Sequence, residues 1–259
     1  MDLGIKDRHA IVCASSKGLG KACAQALARE GVHLVINSRQ AESLEQTAAE
    51  IRTASGVRVQ TVVGDIAAED TRRALIEACP EPDILVNNNG GPMPGRFQDW
   101  THDAWIDALE ANMLAPILMI RGVIDGMVER RFGRIVNITS AMVKAPVAAM
   151  GLSTGARAGL TSLCKALSRE VAQANVTINN ILPERIDTDR QRFMAELTAA
   201  LHGRTVEESY AEIRNSIAAR RLGRPEEVGD ACAFLCSAQA GFISGQNLQL
   251  DGGTYPGIV

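Results

Sequence analysis

The stretch Ala14-Ser15-Ser16-Lys17-Gly18-Leu19-Gly20 has the composition of a phosphate cradle. It joins a β-rich run, His9 to Ala14, to an amphipathic segment that starts at Lys21, so it reads as a strand-to-helix turn. Small residues at such a turn let backbone N–H groups approach an anion, and the positive end of the helix dipole favours a pyrophosphate there. Gly18 and Gly20 supply the close approach, with Ser15, Ser16, Lys17 and Leu19 completing the cradle. The next strand ends Ile36-Asn37-Ser38-Arg39. That is about twenty residues on, where an NAD-binding unit presents Asp or Glu to the adenosine ribose. The acid is absent. Ser38, Arg39 and Lys17 offer a hydroxyl and two cations to a 2′-phosphate instead, which implies NADP(H) in preference to NAD(H). The alternative is that Arg39 is merely solvated beside Glu42.

These groups need a scaffold. Short β-rich runs recur at His9 to Ala14, Val32 to Asn37, Val57 to Gly64, Asp83 to Asn87, Gly133 to Thr139, Val176 to Leu182 and Gln246 to Leu250. Several, such as Ile84-Leu85-Val86, are continuously apolar rather than alternating, the pattern of strands covered on both faces. Amphipathic segments lie between them: Lys21 to Arg29, Ala41 to Thr53, Thr71 to Cys79, Ala104 to Arg131 and Ala156 to Ala174. No linker divides the chain. The expectation is one α/β domain over residues 1–259, a doubly wound (Rossmann) parallel sheet of seven strands with helices on both faces. From Asp189 to Arg220 the text is helical (Phe193, Met194, Leu197; Tyr210, Ile213, Ile217) but inserted after the sixth strand, at the sheet end where ligands bind. This insert, about 189–220, is a candidate lid; an ordinary surface helix pair is the alternative.

Composition narrows the partners. Lys+Arg 27 against Asp+Glu 30 gives a net charge of −3, which leaves no basic footprint for nucleic acid. With 2 Trp, 2 Tyr and 5 Phe there is no base-stacking platform either. The amino terminus is charged from Asp2, and no uninterrupted apolar run of about 18 residues follows, so the reading is a cytoplasmic protein without a membrane partner. Cys13, Cys23, Cys79, Cys164, Cys232 and Cys236 form no C-x-x-C and read as core thiols; with four scattered histidines, no metal site is expected.

Further along stand Asp65, Asn87-Asn88-Asn89-Gly90, Asn112, Ile135-Val136-Asn137-Ile138-Thr139-Ser140, Arg221-Leu222-Gly223-Arg224-Pro225-Glu226-Glu227-Val228, Ser244-Gly245-Gln246 and Asp251-Gly252-Gly253. Together with the glycine turn they make the chain resemble a short-chain dehydrogenase/reductase, of the group similar to β-ketoacyl reductases, over nearly its whole length. The resemblance implies Asp65 and Ile66 at the adenine edge, Asn88, Asn89 and Gly90 along the cofactor, and Pro183, Ile186 and Thr188 near the nicotinamide carboxamide. It further implies Asn87 stabilising the central sheet and Ser140 orienting a substrate carbonyl. It also implies a homodimer or homotetramer built on the two long helices.

The departures bear on chemistry. Cys13-Ala14 replaces the family's Thr-Gly, and Asn89 an alanine. The family's catalytic Tyr-x-x-x-Lys falls on Ser153 and Arg157, a pair similar to an atypical subgroup. Serine lacks the acidity of a phenol, whose pKa is about 10. Arg157, four residues on and on the same helical face, can hold ribose hydroxyls but stays charged and does not shuttle protons. Pro116 lacks the N–H that would bond the Asn112 carbonyl, so the helix is expected to open there and leave an acceptor for an ordered water. Glu184, where the family has glycine, is a replacement acid if desolvated; Tyr210, Tyr255 and Lys144 are others.

The sequence therefore implies an NADP(H)-dependent oxidoreductase acting on a small carbonyl or alcohol with an atypical active site. Two alternatives stay open: a nicotinamide-nucleotide-binding pseudoenzyme or regulatory subunit, and a non-redox dehydratase or isomerase with Glu184 as base. Arg96, Arg190 and Arg192, near the expected mouth, hint at an anionic substrate.

Overall fold

The computed structural model describes residues 2–258. Seven strands, β1 (His9–Val12), β2 (His33–Ser38), β3 (Val59–Val63), β4 (Ile84–Asn87), β5 (Gly133–Ile138), β6 (Val176–Pro183) and β7 (Asn247–Leu250), form one sheet. Its order is β3-β2-β1-β4-β5-β6-β7, and every pairing is parallel. The expected strands all form, within two residues at each end. Pleating divides their side chains between two cores. Ala10, Val12, Leu34 and Ile36 face α1 (Gly18–Arg29), α2 (Ala41–Ser55) and α9 (Pro225–Cys236). Ile11, Val35, Leu85 and Ile135 face α3 (Glu69–Ala78), α5 (Ala115–Glu129) and α6 (Gly151–Val171). The chain leaves β1 to build β2 and β3 on one side and returns to place β4 on the other. Beyond the carboxyl ends of β1 and β4 this reversal opens a crevice.

Two local features shape that crevice. The long helix expected from Ala104 to Arg131 is interrupted: α4 (His102–Leu109) passes through one π turn, Glu110–Leu114, into α5. The Ala115 N–H bonds the Glu110 carbonyl five residues back. Pro116, with no N–H to give, makes the ordinary ladder impossible here, and the wider turn accommodates it. The turn carries Asn112. The insert folds as two helices, α7 (Asp189–His202) and α8 (Val206–Ser216), the second started by a Thr205/Glu208 capping box.

Asn87, Asn137, Asn180 and Asn247 are register partners on β4 to β7. Each amide donates to the next: Asn87 Nδ2 to Asn137 Oδ1 at 2.9 Å, Asn137 Nδ2 to Asn180 Oδ1 at 2.9 Å, and Asn180 Nδ2 to Asn247 Oδ1 at 2.8 Å. This ladder ties half the sheet together just below the crevice, where each amide polarises its neighbour.

Candidate active site

The crevice is a cleft of about 680 Å³. On its β1–β3 side it is lined by Ser16, Lys17, Gly18 and Leu19 of the glycine turn, Ser38 and Arg39 after β2, and Asp65 and Ile66 after β3. Asn88, Asn89 and Gly90 after β4, Arg157 of α6 and Thr188 at the start of α7 complete it. The fold thus brings together most of the residues singled out for the cofactor. Gly20 stands behind the lining: a Cβ there would lie 2.3 Å from the Ala14 carbonyl oxygen and 2.8 Å from Asn88 Nδ2. Asn88 Nδ2 in turn donates to the Ala14 carbonyl at 3.1 Å, which locks the turn to β4.

Three expected cofactor residues lie elsewhere. Ser15 is fully buried, with Oγ donating to Val12 O at 2.8 Å and its N–H to Asn37 O at 2.8 Å, so it fastens β1 to β2. Pro183 ends β6 in pairing with Leu250, and Ile186 is buried in a bridge to Gly223.

Both cations at the adenosine side face carboxylates: Arg39 Nη1 lies 3.7 Å from Asp65 Oδ2, and Lys17 Nζ lies 3.8 Å from Asp189 Oδ2. Arg39 therefore leans on Asp65 and not on Glu42. Ser16 Oγ donates to Ser38 Oγ at 2.9 Å.

At the β5–α6 side, Ser140 caps a 3-10 turn, its Oγ accepting from the Met142 N–H at 3.2 Å and keeping its own proton to donate. Ser153 is 3% exposed, and the Gly91 segment lies over it. Arg157 is 7% exposed; Nη1 donates to the carbonyls of Ile138 and Thr139 at 2.9 and 2.8 Å, Nη2 to that of Asn89 at 3.4 Å. Burial, with a smaller push from Arg190, brings its pKa down to about 10, so it is charged at neutral pH. Its Nε and the Oδ1 of Asn112 are buried without partners. Arg157 and Asn112 both border a void of about 20 Å³, room for one water.

Glu184, expected as a replacement acid, lies outside the cleft. Its N–H continues the β6–β7 pairing to Leu250 O at 3.0 Å, and its side chain lines a separate cavity of about 200 Å³ with Arg221, Glu227 and Asp251. Burial raises its carboxyl pKa there, outside the cleft. Tyr210 and Tyr255 are also absent from the cleft lining, and so, of the expected catalytic residues, are Ser140, Ser153 and Asn112, which leaves Arg157 as the one that lines it; Lys144 Nζ sits 5.7 Å from the Tyr255 ring centroid.

Residues 13–255 match the family model described as enoyl-(acyl carrier protein) reductase. The chain belongs to the short-chain dehydrogenase/reductase family. It is 31% identical over 258 residues to the uncharacterized oxidoreductase YvaG of Bacillus subtilis (strain 168), covering 98% of each chain. It is 30% identical over 254 residues to the 3-oxoacyl-[acyl-carrier-protein] reductase FabG of Vibrio harveyi, covering 98% of this chain and 99% of that one. The crystal structure of L-sorbose reductase from Gluconobacter frateurii, complexed with NADPH and L-sorbose, superposes with a TM-score of 0.94 at 28% identity, covering 100% of both chains.

Within this short-chain dehydrogenase/reductase, some of the lining escaped the sequence reading: Asn37, Gly64, Ile138, Thr139 and Phe193. The first four sit at or just after the carboxyl ends of β2, β3 and β5, so strand ends in a doubly wound sheet were the available signal. Phe193 was visible only as part of the insert's apolar face.

Proposed function

We propose that the protein is an NADP(H)-dependent oxidoreductase interconverting a small carbonyl compound and its alcohol. The cleft carries this reading: it combines a glycine turn in which Gly18 takes a positive φ and Gly20 leaves no room for a Cβ, cationic and hydroxyl groups at the end of β2 in place of an acid, and a far wall of Ile138 and Thr139 that leads directly into Ser140. The relatives named for 3-oxoacyl and L-sorbose reduction support it. The nucleotide, when bound, supplies or accepts the hydride. The glycine turn holds its pyrophosphate, Lys17, Ser38 and Arg39 its 2′-phosphate, Asp65 and Ile66 its adenine edge, and Thr188 its carboxamide. Ser140 donates to the substrate oxygen. Arg157 fixes the ends of β4 and β5, while its Nε–H and Asn112 Oδ1 provide a donor and an acceptor for a water between them.

Ser153 and Arg157 stand for the family's phenol and ammonium, so the proton reaches the substrate by way of water. A positioned general acid is worth roughly 10²–10⁴ in rate, whereas orientation supplies up to about 7–11 kcal/mol; the reaction is slow but not abolished. NADPH oxidation against a panel of small aldehydes and ketones tests this. Turnover above background, lost in Ser140→Ala with NADPH binding kept, is the expected result.

Tight NADPH binding with no turnover favours a second reading, a nucleotide-binding pseudoenzyme or regulatory subunit. Its motive is the burial of Ser153 and the use of Arg157 on three backbone carbonyls. The dehydratase or isomerase alternative loses its base with Glu184 outside the cleft.

We also infer a cytoplasmic homodimer or homotetramer. Helix 102–129 has a mean hydropathy of 1.4 over its most apolar window, of which 39% is buried within one chain. A second copy would cover the rest.

A further inference from the structure

Charge is distributed unevenly along the cofactor cleft. The charged side chains that line it are Lys17, Arg39, Asp65, Asp189, Arg157 and Arg190. Four of them make up the two pairs at the adenosine side, Lys17 with Asp189 and Arg39 with Asp65. Arg157 and Arg190, toward the ends of β4 and β5, have no carboxylate partner among the described residues. Arg157 gives its terminal nitrogens to the carbonyls of Ile138, Thr139 and Asn89, and Arg190 donates to the Pro92 carbonyl at 2.8 Å and the Met93 sulfur at 3.4 Å. These acceptors carry dipoles but no charge. The two guanidiniums are close enough that Arg190 lowers the Arg157 pKa, and Arg157 still holds its proton at neutral pH. Ser153 brings no relief. A Cβ on Gly91 would lie 3.6 Å from Arg157 Nη2 and 4.0 Å from Ser153 Oγ, so the two adjoin beneath one glycine. A phenol, with a pKa of about 10, can ionise beside a cation, whereas a serine hydroxyl does not become an anion there.

We propose that this end of the cleft discriminates between the redox states of the nucleotide and binds NADPH more tightly than NADP⁺. The proposal rests on the reading of the cleft as an NADP(H) site. A dinucleotide whose 2′-phosphate meets Lys17, Ser38 and Arg39 has its other end at the wall that Arg157, Thr188 and Arg190 share. The oxidised nicotinamide ring is a cation and the reduced ring is neutral, while the phosphates are the same in both. An arginine without a counter-ion near the ring therefore opposes the oxidised form alone. Arg157 is the stronger source because it is buried; Arg190 is exposed and solvent screens it. The chain is thereby suited to load the reductant and release its spent form, the order that carbonyl reduction needs.

Calorimetric titrations of the purified protein with NADPH, NADP⁺ and 2′,5′-ADP, which lacks the nicotinamide half, test this. NADPH is expected to bind roughly tenfold more tightly than NADP⁺. Arg157→Lys, which keeps the charge, retains at least about half of that ratio, whereas Arg157→Gln reduces it to about twofold or less. Arg190→Gln lowers the ratio about twofold at low salt and by less at high salt. Binding of 2′,5′-ADP within about twofold of the parent shows that a variant is folded at the adenosine side. Should Arg157→Gln lose that binding, the parent ratio and Arg190→Gln decide. Equal affinity for the two redox states, tighter binding of NADP⁺, or a preference that survives both neutral substitutions overturns the proposal and leaves the NADP(H) reading in place. Failure of all three ligands to bind overturns both.

Discussion

Arg157 reaches three backbone carbonyls with one planar fork, two at the end of β5 and one after β4. A lysine has a single ammonium on a flexible stem and cannot span them. Arg157→Lys is therefore expected to cost about 1–3 kcal/mol of stability, read as a lowered urea midpoint at unchanged slope. An unaltered midpoint would show that the fork contributes nothing to the fold. Asn112 makes the opposite case. Its buried Oδ1 has no protein partner and depends on the water it shares with Arg157 Nε, an arrangement that persists in proteins mainly where function needs the group. Asn112→Ala should keep or raise the thermal midpoint while lowering carbonyl turnover. A lower midpoint with unchanged turnover would make Asn112 structural.

At the scale of elements, the asparagine ladder holds β4 to β7 in register beneath the cleft. Asn137→Ala leaves Asn87 Nδ2 with only its 3.5 Å bond to the Pro116 carbonyl and orphans Asn180 Oδ1, for an expected loss of about 2–4 kcal/mol by calorimetry; a loss under 1 kcal/mol would deny the ladder any cooperative role. The first turn of helix α9 carries Glu227, which accepts from the Arg224 N–H at 2.7 Å and from both terminal nitrogens of Arg221. Those contacts hold its carboxyl near a pKa of about 2, below the usual carboxylate range. A depressed folded-state pKa gives stability that is complete above the unfolded value, about 4.3, and lost as pH falls toward 2. Glu227→Gln should accordingly cost about 1 kcal/mol at pH 7, and the difference from the parent should shrink between pH 4.5 and pH 2. A difference independent of pH would place the effect in packing.

These elements also mark what the sequence could disclose. Continuous apolar runs such as Ile84-Leu85-Val86 revealed the buried strands because local patterning encodes two-sided burial. Pro116 revealed a break in the long helix, since a missing N–H is a local fact. That the break is a π turn was not legible, because several backbones satisfy one proline. The ladder was hidden for another reason: Asn87, Asn137, Asn180 and Asn247 meet only through sheet register, a tertiary property. Glu184 was misplaced on the same account, its pairing with Leu250 carrying the side chain away from the cleft. Within the cleft, Lys17, Arg39 and Asp65 were legible as groups, but not that Asp65 and Asp189 face the two cations.

In the whole molecule, the insert bridges the cleft from both sides. Asp189 reaches Lys17 on the glycine turn, and Arg190 holds the Pro92 carbonyl on the loop after β4. A bound 2′-phosphate would compete with Asp189 for Lys17. Because this pair is exposed, its worth is small, and Asp189→Asn is expected to tighten NADPH binding by only about two- to fivefold, with less effect at high salt. Weaker binding in that variant would show that Asp189 serves to position α7. Specificity for the phosphorylated nucleotide belongs to this scale too, since it draws on the ends of β1 and β2 and on α7 together. Paired equilibrium titrations of the purified protein with NADPH and NADH test it most directly. The predicted result is NADPH binding at least about tenfold tighter, with Arg39→Ala removing most of the difference. Equal or tighter binding of NADH, or no binding of either at millimolar concentration, would contradict the account.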